Sequence, residues 1–316
     1  MISVVIPVKN EKNKIRLCIE SILNQTITVD EIIIVDSGST DGTLDILKGY
    51  SVVKLIQIDP LTFNHGLTRN YGVNGSKNDI VLLTVGDAYP ADDMWIERML
   101  SVFDDPNVVA VCGKQVVPHD RDKDPNEWYR PVSKGEIVKY HYSPEEFYAL
   151  TPEEKKAVCS WDDVTAMYRK SVLEEIPFQK TSYAEDAIWA KDAILKGKTI
   201  AYHPEAVVYH YHLENADFTF KRTLTVSYFM YRQFGFKYPN PHRSFIDWLR
   251  VIKILLKSRP LTLSERVKWF LYNRELYKAN KKAWNVFMNA LAIGDDELDK
   301  VHSKYCNKPP IPLKSR

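Results

Sequence analysis

Two short acidic runs, far apart in the 316-residue chain, have the composition to do chemistry: Val35-Asp36-Ser37-Gly38-Ser39-Thr40-Asp41-Gly42 and Tyr183-Ala184-Glu185-Asp186. The first follows Ile32-Ile33-Ile34-Val35, which is β-branched throughout and reads as a buried strand. The chain therefore leaves a sheet at Val35 and sets a carboxylate, hydroxyls and glycines at the strand's C-terminal edge, where open α/β sheets bind ligands. Asp41 can cap the helix that follows, which assigns Asp36 to a ligand rather than to the turn. Glu185-Asp186 opens a second helix. With Ser182 it reads as a Ser-x-x-Glu capping box, a pattern that suits Glu185 better than Asp186. Two further segments carry candidate ligands, Asp87 in Gly86-Asp87-Ala88-Tyr89-Pro90 and His210 and His212 in Val208-Tyr209-His210-Tyr211-His212. Histidines two apart on a strand share one face, so both could reach one cation; they could also be ordinary core residues.

The elements that must position these residues alternate over the first 118 positions. Strands are expected at 2–7, 31–35, 52–57, 79–84 and 108–117, with helices at 13–24, 41–49, 66–75 and 91–104. This order implies α/β architecture with a parallel sheet covered on both faces. No GxGxxG or P-loop is present, which argues against a dinucleotide or P-loop site. Residues 118–158 form a polar excursion with one helix near 144–156, of the kind that serves as a lid or acceptor loop. A strand at 164–169, a helix at 185–196 ended by Gly197, and strands near 198–202 and 206–211 complete the domain. Beyond 216 the period turns helical, at 217–235, 244–258, 263–279 and 281–292, with breaks at Pro239-Asn240-Pro241, Pro260 and Asn280. The last residues, with Pro309, Pro310 and Pro312, read as a loose tail. The domains expected are 1–215 and a basic helical 216–316.

Ile2-Ser3-Val4-Val5-Ile6-Pro7-Val8-Lys9-Asn10-Glu11, a helix, and then the run from Ile32 to Gly42 resemble the start of the family 2 inverting nucleotide-sugar glycosyltransferases. These have the GT-A fold, a Rossmann-like nucleotide-diphospho-sugar transferase sheet sandwiched by helices. Phe63-Asn64-His65-Gly66-Leu67-Thr68-Arg69-Asn70, Asp87-Ala88-Tyr89-Pro90 and Glu185-Asp186 extend the likeness over two thirds of the chain, in a form similar to the bacterial rhamnosyltransferase branch. The resemblance implies that Pro7, Lys9 and Glu11 line the base and ribose pocket. It also implies that Asp36 accepts from the imide N–H that uracil and thymine present and cytosine lacks. Arg69 suits a diphosphate or base edge, with a surface salt bridge as the plainer alternative. Family members carry Asp-x-Asp before this Pro. Here the second Asp is Asp87 and the first position is Val85, so one carboxylate plus phosphate oxygens would hold a divalent cation, Mn2+ or Mg2+, weakly. The family's "ED" pair makes Asp186 the catalytic base. Trp161, Asp162 and Asp163, together with Glu185, are expected to border the acceptor, while Trp189 suits core or sugar platform equally.

The implied reaction moves a sugar, L-rhamnose as the best donor guess, from a dTDP- or UDP-sugar to a glycan or lipid-linked glycan in bacterial surface polysaccharide synthesis. A non-catalytic nucleotide-sugar-binding scaffold is the rival, motivated by Val85. A nucleotidyltransferase is disfavoured because no Gly/Arg/Lys-rich triphosphate loop lies near the N-terminus. Nucleic acid is not an expected partner. The net charge of +2 hides an asymmetry, −10 over residues 1–215 and +12 over 216–316. Aromatic and aliphatic residues at helical spacing beside Arg250, Lys253 and Lys257 fit an anionic membrane surface. They fit equally a helical bundle or an oligomer contact whose Lys stems cover core. Four scattered cysteines, no spanning apolar run and no basic-then-apolar leader imply a reduced, cytoplasmic protein, and the basic helices, with the lipid-linked acceptors the resemblance implies, would place it on the inner face of the cell membrane.

Overall fold

A computed structural model describes residues 1–128 and 135–307. They divide into two compact units, the first made of 1–116 and 135–210, the second of 117–128 and 211–307. The polar excursion that the sequence presents as one segment is thus shared between them.

The first unit is built on β1 (Ile2–Val8), α1 (Ile15–Leu23), β2 (Glu31–Asp36), α2 (Thr43–Leu47), β3 (Val53–Gln57), α3 (His65–Asn74) and β4 (Ile80–Leu83). It continues through β5 (Tyr89–Pro90), α4 (Trp95–Ser101), β6 (Val108–Val116), β7 (Val138–Tyr140), α5 (Pro144–Ala149), α6 (Pro152–Val158) and β8 (Ala166–Arg169). α7 (Lys170–Glu175), α8 (Glu185–Leu195) and β9 (Thr199–Tyr209) complete it. Among the described residues one sheet runs β3-β2-β1-β4-β8-β6-β9-β5, with β7 also pairing β9. β3, β2, β1 and β4 are parallel, so β1, β2 and β4 end at one edge, where Pro7, Asp36 and, just past β4, Asp87 sit. The expected all-parallel sheet is in fact mixed. β8 enters antiparallel between β4 and β6, and β5 and β7 lie antiparallel on β9.

Burial follows sequence period. α1 turns Ile15, Cys18, Ile19 and Ile22 onto a sheet whose β1 and β2 are buried almost residue for residue. α3 approaches closely because Gly72 has no side chain: a Cβ there would lie 2.2 Å from Val5 Cγ1. The helix expected near 144–156 is two short helices, each with its own capping box, Ser143/Glu146 and Thr151/Glu154, because Pro152 cannot continue the first. The two strands expected at 198–202 and 206–211 are one. The pairing with β6 skips the stretch around Pro204, which has no N–H to give, so the chain crosses it as an irregularity rather than an end. Cys18, Cys112, Cys159 and Cys306 are all free thiols.

The second unit contains α9 (Ala216–Phe234), α10 (Phe245–Lys257), α11 (Leu263–Ile293) and α12 (Asp295–Cys306). Leu224 from α9, Ala283, Phe287 and Ala290 from α11, and Leu298 from α12 form one cluster; Val251, Leu255, Leu261 and Trp269 form another. The break expected at Asn280 does not occur. Asn lowers helix propensity only modestly, Thr223 donates its hydroxyl proton to Asn280 Oδ1, and the flanking Ala279 and Ala283 are buried. α12 goes unrecognised in the sequence because its charged first turn masks the helical pattern. The segment from 117 joins this unit through Asp124, which accepts from Asn273 Nδ2 at 2.9 Å, and Arg121, which pairs with Glu265 at 2.9 Å. The proline-rich tail from 308 lies outside the described residues. No described helix is long and apolar enough to cross a membrane.

Candidate active site

The two N-terminal motifs are stitched to each other. Asn10, in left-handed geometry (φ 59°) that Asn tolerates better than most residues, gives its N–H to Ser39 Oγ at 2.8 Å and receives the Thr40 N–H on Oδ1 at 2.7 Å. Glu11 N–H donates to Thr43 Oγ1 at 2.8 Å and Lys12 N–H to Asp41 Oδ2 at 3.1 Å. Asp41 Oδ1 accepts the Thr43 N–H, the first of α2, at 3.0 Å, although the N-cap position itself is a left-handed Gly42 with no side-chain cap. Asp36 does have a structural role, contrary to the expectation. It is fully buried and accepts the N–H groups of Gly38 and Ser39 at 3.1 Å each. Lys9 is exposed, and Pro7 and Glu11 are half-buried beside it along the chain.

Arg69 departs most from its sequence reading. It is buried rather than at the surface, lies 3.3 Å from Asp163 Oδ2 through Nε, and donates from Nη1 to Glu185 Oε1. The motif around it works as a clamp. Asn64 caps α3 and donates to Thr181 O at 2.6 Å, while Asn70 exchanges two hydrogen bonds with the Phe178 backbone. Gly66 lies so close to the same segment that a Cβ would sit 2.7 Å from Gln179 O. Together these hold the approach to α8. Ala184 there is left-handed (φ 60°) and no side chain caps the helix, so the capping box expected of Ser182 and Glu185 is absent.

Around Arg69 the buried polar groups form a chain. Trp161 Nε1–H donates to the Tyr168 hydroxyl at 2.6 Å, and Tyr168 donates to Asp163 Oδ1. Burial raises Asp163 to about 6, against the opposing pull of Arg69 and the Tyr168 hydrogen bond. Glu185 is also penalised by burial, yet Arg69 and His65 hold it below the usual carboxylate range. Asp186 keeps partial solvent access and is pushed well above that range, first by desolvation and then by Glu185, Asp163 and Asp162. Of the residues expected at the acceptor, Trp161, Asp163 and Glu185 are buried in this network and only Asp162 keeps exposure. Trp189 is core: its ring meets Trp161 and Tyr168, and its Nε1–H donates to Ile176 O.

Asp87 sits beyond β4 with Lys14 Nζ 3.2 Å from Oδ2 and His210 Nε2 3.4 Å from Oδ1. β9 ends at Tyr209, so the shared-strand-face argument for the two histidines does not hold; His212 stands among the first residues of the second unit. Two residues here were not singled out from the sequence. Lys14 could have been suspected from its place at the start of α1. Gln115 carries no sequence signal at all: its amide donates to Asp162 Oδ2 while its Oε1 meets His210 Nδ1 at 2.7 Å. Because the amide N–H faces a carboxylate, Oε1 is the acceptor and Nδ1 carries the proton.

The mixed sheet with its covering helices is a GT-A-like, nucleotide-diphospho-sugar transferase type of fold. Residues 3–177 match the profile described as Glycosyl transferase family 2, and the chain belongs to that family. It is 33% identical over 217 residues to the O-antigen chain rhamnosyltransferase RfbN of Salmonella typhimurium, covering 67% of this chain and 66% of that protein. With the O-antigen chain rhamnosyltransferase WbaN of Salmonella anatum it shares 34% over 194 residues, 60% of this chain and 58% of that one. The matched span is thus a little under two thirds of each relative. Among solved structures, S. aureus TarS 1-349 shares the fold at TM-score 0.52 and 18% identity, over 96% of this chain and 90% of that one. The mannosyltransferase PcManGT of Pyrobaculum calidifontis, in complex with GDP-Man and Mn2+, does so at 0.54 and 16%, over 96% and 78%.

Proposed function

We propose that this protein is an inverting glycosyltransferase that moves a sugar, with L-rhamnose the favoured candidate, from a dTDP- or UDP-sugar to a glycan or lipid-linked glycan of a bacterial surface polysaccharide. The family and the two Salmonella rhamnosyltransferases support the class of reaction. One observation carries the site assignment. Asp162 is tied through Gln115 to His210 and so to Asp87, and Asp186, the base in this reading, is raised above the usual carboxylate range first by burial and then by Glu185, Asp163 and Asp162. In this reading an acceptor hydroxyl attacks the anomeric carbon, Asp186 takes its proton, and the C–O bond to the nucleoside diphosphate breaks with its electrons on the leaving oxygen. Pro7, Lys9 and Glu11 line the nucleoside pocket, and Asp36 holds the turn beside it by accepting the Gly38 and Ser39 N–H groups. Arg69 works from below the site by fixing Glu185, the neighbour of the base.

The residues at Asp87 fit a divalent cation. Gln115 sets the His210 proton on Nδ1, so the Nε2 lone pair faces the Asp87 carboxylate, and two acceptors in that relation call for a proton or a metal ion. A mixed carboxylate and imidazole set accepts Mn2+ more readily than Mg2+, which demands oxygen ligands in octahedral geometry. Asp87 and His210 are the proposed ligands, and the cation would supply charge to stabilise the leaving diphosphate. With Val85 in place of a second carboxylate and Lys14 already on Asp87, cation affinity should be low until diphosphate oxygens complete the shell.

The test is a panel of dTDP-rhamnose, UDP-, GDP- and CDP-sugars, scored by thermal shift and donor turnover in Mn2+, Mg2+ and EDTA, with Asp186→Asn alongside. Loss of a positioned base lowers turnover by ~10²–10⁴-fold while nucleotide affinity stays. An Asp186→Asn variant with near wild-type turnover, or GDP bound as tightly as UDP and dTDP, contradicts the assignment.

A further inference from the structure

The second unit shows an apolar face to solvent that its own core does not use. On α10 the structure sorts the apolar residues into two sides. Val251 and Leu255 point inward with Trp269, whereas Phe245 (77% exposed), Ile246 (61%), Leu249, Ile252 and Leu256 (60%) point out. The spacing 245, 249, 252, 256 is one helical stripe. Arg250, Lys253 and Lys257 are exposed along one flank of it. The following helix, α11, repeats the pattern: Leu263 (73%), Val267 and Leu271 are exposed at four-residue spacing, and Arg274 and Lys278 continue the row. Five large apolar side chains laid out on a single thirteen-residue helix exceed the scattered exposure normal for a protein surface.

Charge decides what covers this face. From Arg243 to Arg274 there are eight basic residues and two acidic ones, Asp247 and Glu265. Both acids serve as capping-box residues, Asp247 for α10 and Glu265 for α11, and Asp247 also pairs with Arg250 at 3.0 Å. A second copy of the chain would bring two such basic faces together. An anionic lipid surface matches both features, since it neutralises the flank while the stripe enters the acyl boundary. We infer that α10 and the start of α11 form an interfacial docking face for anionic phospholipid, with Phe245, Ile246, Leu249, Ile252 and Leu256 as the inserted wedge. The inference stands apart from the transfer reaction, because none of these residues belongs to the proposed site.

Flotation of the full-length protein with vesicles of phosphatidylglycerol in phosphatidylethanolamine, and with pure phosphatidylcholine, tests it. The wild type should float with the anionic vesicles and not with phosphatidylcholine, and rising salt should weaken binding as the Debye length shrinks below ~10 Å. Leu249→Gln/Ile252→Gln/Leu256→Gln should weaken binding by at least about a hundredfold, from the apolar area withdrawn from lipid. Arg250→Gln/Lys253→Gln/Lys257→Gln should weaken it by at least about tenfold and flatten the salt dependence. Both variants should keep the wild-type Tm and nucleotide affinity. A wild type that ignores anionic vesicles at low salt overturns the inference. So does a dimer by light scattering that Leu249→Gln/Ile252→Gln/Leu256→Gln dissociates, or unfolding of that variant, which would make the stripe a self-association face or core.

Discussion

Arg69→Met separates the role the structure gives this arginine from the one its sequence motif implies. Its guanidinium lies 3.3 Å from Asp163 and in direct contact with Glu185, all three side chains buried. Burial alone disfavours the charge, but Asp163, Glu185 and Asp186 more than reverse that and hold the arginine charged. At an effective dielectric of about 20, one such pair is worth roughly 5 kcal/mol of gross attraction. Most of that offsets desolvation, and removing one partner of a buried pair typically costs ~3–5 kcal/mol, because a charge is left stranded. For a domain of this size that corresponds to a Tm lower by roughly 6–20 °C. Losing the cation should push Asp186 further up and release Glu185 from its lowered range, so the acid limb of turnover moves to higher pH. Adding Glu185→Gln should recover part of the lost Tm by removing a stranded charge. Scanning calorimetry, nucleotide titration and a pH–rate profile on the three proteins make the comparison. An Arg69→Met variant that melts with the wild type but loses tenfold or more in nucleoside diphosphate affinity refutes the structural role and restores the donor-phosphate one.

Gln115→Leu should release the His210 tautomer and lower Mn2+ affinity in the presence of nucleotide by ~10–100-fold. Imidazole 15N shifts should show a mixture of tautomers, and an unchanged Nδ1–H signature would mean that another group sets it. Gly66→Ala places a methyl 2.7 Å from Gln179 O, which should cost ~1–3 kcal/mol and loosen the Asp186 segment, seen as faster amide exchange over 178–186. Unchanged exchange there would remove the clamp. Asp163 titrates near 3.8 in a free carboxyl and near 6 when folded, so between those values the folded chain binds more protons and stability falls as pH rises. Asp163→Asn should flatten that slope in melts from pH 4 to 6.5, and an unaltered slope assigns it to other groups.

The strand and helix order of the first hundred residues was legible because β-branched runs and the i, i+3, i+4 pattern of α1 encode local geometry and burial together. The glycine-flanked acidic turn after β2 was legible as the end of a buried strand, while the ED pair became a candidate base only through the resemblance to family 2. Strand direction was not legible: β8 enters between β4 and β6 through contacts distant in sequence, and a short apolar run carries no mark of its partner. The partners of the polar residues were hidden for the same reason. Arg69 meets Asp163 and Glu185 across 94 and 116 residues of chain, and Gln115 meets Asp162 and His210 across 47 and 95. A carboxylate on a turn looks equally available whether it faces solvent, a backbone N–H or a buried guanidinium. Asp36, Asp163 and Glu185 were therefore recognisable as charged groups worth placing, while only the tertiary packing decided that they are held from within. Which side of α10 is core and which meets solvent was likewise open in the sequence, because a helix with apolar residues around much of its girth acquires an inside only when another helix covers one face.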